Sequence, residues 1–142
     1  MLHQDYIVRM LSELAAAVAR CVLYGKNERT PEEAAEMLEE AVGNAVAIDG
    51  EAFLSLAPGT IAQIMQVTGT DPRVSEYVAR SVMLASAYLE EAGRTEMAQL
   101  RREQALAIAK AYGHDLTDMD GGVDEAGSAA LDAMAEHAPE EV

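Results

Sequence analysis

Three histidines and one cysteine are the side chains of this 142-residue chain best suited to hold a metal or attack a substrate. His3, His114 and His137 are scattered, and none has a second His or a Cys at chelating spacing. No Glu-x-x-His pair of the kind used by di-iron helix bundles occurs. Asp118-Met119-Asp120-Gly121 has the opening residues of a calcium loop. Such a loop needs Gly at its sixth place and Glu at its twelfth, and counted from Asp118 those places hold Val123 and Ala129. No metal site is expected. Cys21 falls on an apolar helix stripe, where a thiol is a small core residue. Ser12, Ser75, Ser81 and Ser86 lie inside expected helices, without a Gly-x-Ser-x-Gly elbow. Gly121-Gly122 stands among aspartates, so no glycine loop is placed to cradle phosphate. The pairs Glu32-Glu33, Glu39-Glu40 and Glu90-Glu91 suit a solvated helix face. With no paired groups of distinct role, neither an enzyme nor a cofactor is expected.

The elements that would position these residues follow from composition and period. Half the residues are apolar, with eight Met, one Phe and no Trp, and Ala supplies much of the apolar content. Ala favours helix because it loses no side-chain freedom. The sequence predicts helices from about Gln4 to Tyr24 and from Pro31 to about Ala47. Shorter ones follow over Glu51–Leu56 and from Pro58 towards Gly69, then longer ones from Pro72 to Ala92 and, with Thr95 as its cap, up to Tyr112. Thr30, Pro31 and Glu33 form a capping box around an N1 proline, and Asp71-Pro72 repeats the cap-plus-proline start. Asp49-Gly50 makes a turn. Gly25, Gly69, Gly93 and Gly113 serve as stops. On the fifth helix, Val74, Tyr77, Val78, Ser81, Val82, Ala85, Tyr88 and Leu89 share a stripe. Met83, Leu84 and Ala87 lie away from it, and a helix apolar on two sides sits between layers. Nothing alternates with period two, so the fold class is all-α, with about six helices.

Charge divides the chain. Net charge is −15; residues 1–113 carry 16 acids and 10 bases, and residues 114–142 carry nine acids and no base. The expected organisation is a helical-hairpin domain over 1–113 and an acidic tail over 114–142. That tail reads as a linker through residue 127 and a short helix over 128–137, ended by Pro139. A negative field of this size repels phosphate backbones and anionic membranes, so neither nucleic acid nor membrane is an expected partner. The longest apolar run, Leu14 to Leu23, contains Arg20 and is too short to span a bilayer. Asp5 and Arg9 stand where a signal peptide is apolar, and the single cysteine suits a reducing compartment. A cytoplasmic location is expected.

The second half looks like a tetratricopeptide hairpin, a pair of helices with small residues where they cross. Gly93 takes the turn, Ala98 falls five residues on, and Ala105-Leu106 another seven. Ser86 and Leu89 take the small and large positions of the first helix. The usual aromatic is displaced to Tyr88 and the closing proline is absent. The first two helices form a more degenerate copy, with Gly25 at the turn and Ala34 and Ala41 seven apart. The opening Gln4-Asp5-Tyr6-Ile7-x-Arg9-Met10, the Glu-Glu-Ala helix of Glu32 to Ala41 and Leu54-Ser55-Leu56 resemble a family of small, uncharacterised, all-helical bacterial proteins ending in a tetratricopeptide-like pair. The likeness covers about residues 3–112 and departs at Ala57-Pro58-Gly59, where a capping Ser followed by acids is expected. The resemblance implies a fold and a bacterial source, and no activity.

These readings converge on a protein- or peptide-binding helical scaffold. The expected concave face of the fifth helix carries Arg80, Met83, Ala87 and Glu90, with Met83 suited to adaptable contacts. The alternative is a structural homo-oligomer with no separate ligand. A further expectation is that residues 115–141 fold back onto Arg94, Arg101 and Arg102 and mask that surface.

Overall fold

The computed structural model describes residues 2–24, 28–46 and 49–138, and every regular element among them is helical. The order is α1 (Leu2–Tyr24), α2 (Pro31–Val46), α3 (Gly50–Leu54), α4 (Pro58–Val67), α5 (Pro72–Glu91), α6 (Thr95–Tyr112), a 3-10 turn (Thr117–Met119) and α7 (Val123–Ala133). Gly25, Ala47 and Pro139, expected as stop or turn positions, lie outside the described residues.

Local chemistry sets most boundaries. At α2 the Glu33 N–H donates to Thr30 Oγ1 at 3.1 Å and the Thr30 N–H donates to Glu33 Oε1 at 2.9 Å. Two of the orphan donors of the first turn are thereby satisfied. At α5 Asp71 caps by accepting from the Arg73 N–H, with Pro72 in the first helical turn. The Arg73 guanidinium beside it holds the Asp71 carboxyl below its ordinary value. Gly69, Gly93 and Gly113 all have positive φ, the left-handed conformation that ends a helix most easily at glycine. Two starts differ from expectation. Thr95 is the first residue of α6 rather than its cap; the cap position is Arg94, whose side chain makes no capping bond. Gly50 opens α3 instead of completing a turn, because Asp49 accepts from the Glu51 N–H and caps it.

Helix α5 is the centre of the packing. Fourteen of its 20 residues are buried, so it is enclosed on more than one side. It packs against α1, α2, α6 and α7. Ser86 near its end donates to the Ala98 carbonyl at 2.7 Å, and Ser75 near its start meets His114, just past the end of α6, at 2.9 Å. Helix α6 therefore returns along α5. Helix α4 packs on α6, and α3 on α2. The α2–α3 approach is close: a Cβ on Gly50 would stand 3.2 Å from the Gly43 Cα and 3.1 Å from the Glu39 carbonyl oxygen.

The acidic segment is not the loose linker expected of it. Leu116 and Met119 are buried, and so are Ala126, Ala130 and Met134. These five belong to the same hydrophobic cluster as Ile7, Leu38, Val78 and Ile108. Helix α7 begins at Val123 and ends at Ala133, rather than running over 128–137. The reason is its four-residue period: Ala126, Ala130 and Met134 turn inward together while Asp124, Glu125 and Asp132 stay exposed. Small residues let it approach α1 closely, since a Cβ on Gly127 would meet Val22 Cγ2 at 2.9 Å.

Candidate functional site

The face expected to be an open concave surface is closed. Arg80 is only 6% exposed and Met83 only 3%. Ala87 is half-buried against the core, and Glu90 alone is exposed. The cover comes from the tail. Arg80 donates through Nε to Glu76 Oε2 at 3.0 Å, through Nη1 to Asp118 Oδ1 at 3.2 Å, and through Nη2 to the Asp115 carbonyl at 3.3 Å. Met83 shares the hydrophobic cluster with Ala126, Ala130 and Met134. These four residues thus do not form one accessible surface. Sequence reading missed the cover because the acids flanking those tail residues made the segment look solvated.

The tail does fold back onto basic residues, but of the expected Arg94, Arg101 and Arg102 it pairs among the described residues with Arg102 alone, and it also takes Arg80. Its acids meet Arg80 and Arg102, the latter through Asp120 Oδ1 at 3.0 Å. Arg94 pairs instead with Glu32, and Arg101 with Glu39 at 2.8 Å. Two histidines fasten the segment at either end. Ser75 donates its hydroxyl hydrogen to the Pro72 carbonyl at 2.8 Å, which leaves its oxygen to accept from His114 Nε2. His137 Nδ1 lies 2.9 Å from the Tyr77 hydroxyl. The aspartates with calcium-loop character, Asp118 and Asp120, are thus the ones that face arginines. Among the described residues no group of three His, Cys, Asp or Glu side chains could hold a metal ion.

Two further clefts lie elsewhere among the described residues. The larger, about 880 Å³, lies along α2, α3 and α6. Leu54, Met97 and Leu100 give it an apolar floor, and Glu36, Glu39, Glu40, Asp49 and Glu51 rim it. Arg101 also reaches it, but Glu39 neutralises that charge. Glu36, Glu40 and Glu51 have no ion-pair partner among the described residues. Arg101 is held from behind: Nη1 donates to the Leu54 carbonyl at 2.8 Å and to Gln104 Oε1 at 3.0 Å. The buried Gln104 amide in turn donates to the Leu54 and Leu56 carbonyls, both at 2.9 Å. The two side chains thereby satisfy the last carbonyl of α3, which has no partner within the helix, and the Leu56 carbonyl just beyond it.

The second cleft, about 750 Å³, lies where the end of α1, the start of α2, the end of α5 and the start of α7 meet. Cys21, Val22, Arg29, Ala34, Tyr88 and Val123 are among its lining residues. Burial pushes the Cys21 thiol up to about 11, against the opposing pull of Arg29. The thiol points to the Ala34 carbonyl at 3.7 Å and to Met37 Sδ at 3.8 Å. A protonated, enclosed thiol is a poor nucleophile. Burial, reinforced by Cys21, Glu91 and Asp124, pushes the Tyr88 hydroxyl up to about 12.

Comparison with protein-family models, with curated proteins and with solved structures finds no match to this chain. The fold places it among all-α proteins. No helix among the described residues is long and apolar enough to cross a membrane.

Proposed function

We propose that this chain is a protein-binding helical scaffold whose acidic groove along α2, α3 and α6 receives a cationic, amphipathic segment of a partner. The observation that carries this reading is the arrangement of that groove: an apolar floor of Leu54, Met97 and Leu100 inside a rim of carboxylates. A helix with Leu on one face and Lys or Arg on its flanks matches both features. Arg101 and Gln104 lock the end of α3 onto α6, so the groove is preformed and little ordering is required on binding. The chemistry of the one thiol, held protonated in the core, favours binding over nucleophilic catalysis. We further propose that α5 and α6 form a tetratricopeptide-like hairpin in a cytoplasmic bacterial protein. Its support is the Gly93 turn and the Ser86–Ala98 contact where the helices cross.

The homo-oligomer reading has less behind it. It relies on an apolar surplus, and α7 packs on α5 within the chain. The large apolar side chains left exposed, Tyr6, Val8, Leu23, Val67 and Leu106, are spread over α1, α4 and α6.

A designed Lys/Leu amphipathic helix and its Glu/Leu charge-reversed twin test the proposal by calorimetry. The cationic peptide should bind, with affinity falling as salt rises. Replacing Glu36, Glu40 and Glu51 together by Gln should weaken it by about tenfold or more, since a rim charge contributes a few tenths to 1 kcal/mol. Equal binding of the twin, or full affinity in the triple variant, would rule the groove out.

A further inference from the structure

The cleft between α1, α2, α5 and α7 carries a feature that packing alone does not account for. Tyr88 is only 8% exposed, yet its hydroxyl has no hydrogen-bond partner among the described residues. Among the described residues no fully enclosed side-chain N or O atom lacks a partner, so this hydroxyl reaches the cleft that the residue lines. Buried tyrosines ordinarily pair their O–H. Arg29, half-buried on the same wall, likewise makes no hydrogen bond or ion pair among the described residues. The two residues line one and the same cleft. Val22, Pro31, Ala34 and Val123 supply aliphatic surface beside them. The cavity volume, about 750 Å³, lies inside the range of small-molecule sites, about 300–1,000 Å³.

We propose that this cleft is a binding site for a small monocarboxylate with an aliphatic body. The Arg29 fork takes the carboxylate, since a planar guanidinium matches its two oxygens. The Tyr88 hydroxyl donates one further hydrogen bond to it. The aliphatic body lies on Val22, Ala34 and Val123. Glu91 stands at the same cleft and sets the charge limit. Like charges repel, so a monoanion is admitted where a phosphate dianion is opposed. The site is separate from the acidic groove and does not depend on that reading.

The test uses the full chain and three probes: octanoate, octylamine and inorganic phosphate. Octanoate should bind saturably by calorimetry, and the other two should not. Arg29→Gln should weaken octanoate by about tenfold, the loss of one charge-assisted contact. Tyr88→Phe keeps the ring and should weaken it by about threefold, a smaller neutral contact. Melting curves and helical circular dichroism of both variants report whether the fold is intact, and Arg29→Lys, which keeps the charge but not the fork, should fall between wild type and Gln. Replacing Glu36 and Glu40 by Gln in the other groove should leave octanoate binding unchanged. Failure of octanoate to bind, equal binding of octylamine or phosphate, or full affinity in a folded Arg29→Gln variant would each overturn the proposal.

Discussion

Arg80 and Arg101 are equally buried, at 6% and 7% exposure, and both sit on helices of the central pair. Their surroundings differ. Arg101 donates to Glu39, the Leu54 carbonyl and Gln104, all within 3.0 Å. Its carboxylate partner is only 24% exposed. Arg80 holds its tail contacts at 3.2 to 3.4 Å. Its side-chain partners Glu76 and Asp118 are 34% and 55% exposed. The first arginine completes a polar network inside the fold, where each acceptor depends on it. The second clips an acidic segment whose groups have water to fall back on. Equal burial of a charge therefore does not imply an equal role; what matters is what becomes of the partners once the charge is removed.

The largest effect follows from that difference. Arg101→Ala leaves Glu39 beside a void and shifts the whole burden of the Leu54 carbonyl onto Gln104. Removing one partner of a buried pair costs about 3–5 kcal/mol, which should show as a large fall in the urea midpoint. Replacing Arg101 and Glu39 together by Met removes both charges and should recover part of the loss. A single variant as stable as wild type would break the comparison.

Arg80→Ala should cost less, about 1–2 kcal/mol, because Asp118 and Glu76 can rehydrate. The loss should be local. Amide exchange should quicken over the 3-10 turn and α7 while α3 and α6 keep their protection, since local opening follows the contacts that are lost. High salt should imitate it weakly, as the Debye length shrinks to about 3 Å at 1 M. Uniform acceleration across the chain would show that Arg80, like Arg101, supports the entire fold.

The same contrast explains what sequence could disclose. Boundaries written by neighbours were legible: the Thr30–Glu33 box, the Asp71-Pro72 start and the glycine stops at Gly69, Gly93 and Gly113 all depend on chemistry within one turn. Ser86 and Ala98 were legible as small crossing positions, and they do meet. The fate of Arg80 and Met83 was not. Arg80 is held by Asp115 and Asp118, 35 and 38 residues away in sequence, Met83 joins a cluster drawn from every helix, and no local period records which distant element will arrive. The tail was misread for a related reason. Reading a linker through residue 127 cut the Ala126, Ala130, Met134 stripe and hid its first member. The acidic groove escaped notice because its rim and floor come from three helices, each of which alone is an ordinary amphipathic surface.

The smallest effect concerns the cleft lined by Cys21 and Tyr88. The Cys21 thiol and Tyr88 hydroxyl stand at about 11 and about 12, above ordinary values of 9.0 and 10.0. The folded chain therefore keeps protons that the unfolded chain releases. Their contribution to stability is whole below about pH 9 and is lost as pH rises through 9 to 12, because the unfolded state then binds fewer protons. Melting temperature should hold level up to about pH 8.5 and decline above it. Cys21→Ala removes the earlier titration and should move the onset towards pH 10, where Tyr88 begins. Arg80→Ala should leave the onset where it was, because it removes neither titrating group. An unmoved onset in Cys21→Ala would show that Cys21 does not set it, and a shifted one in Arg80→Ala would show that loosening the tail reaches the cleft.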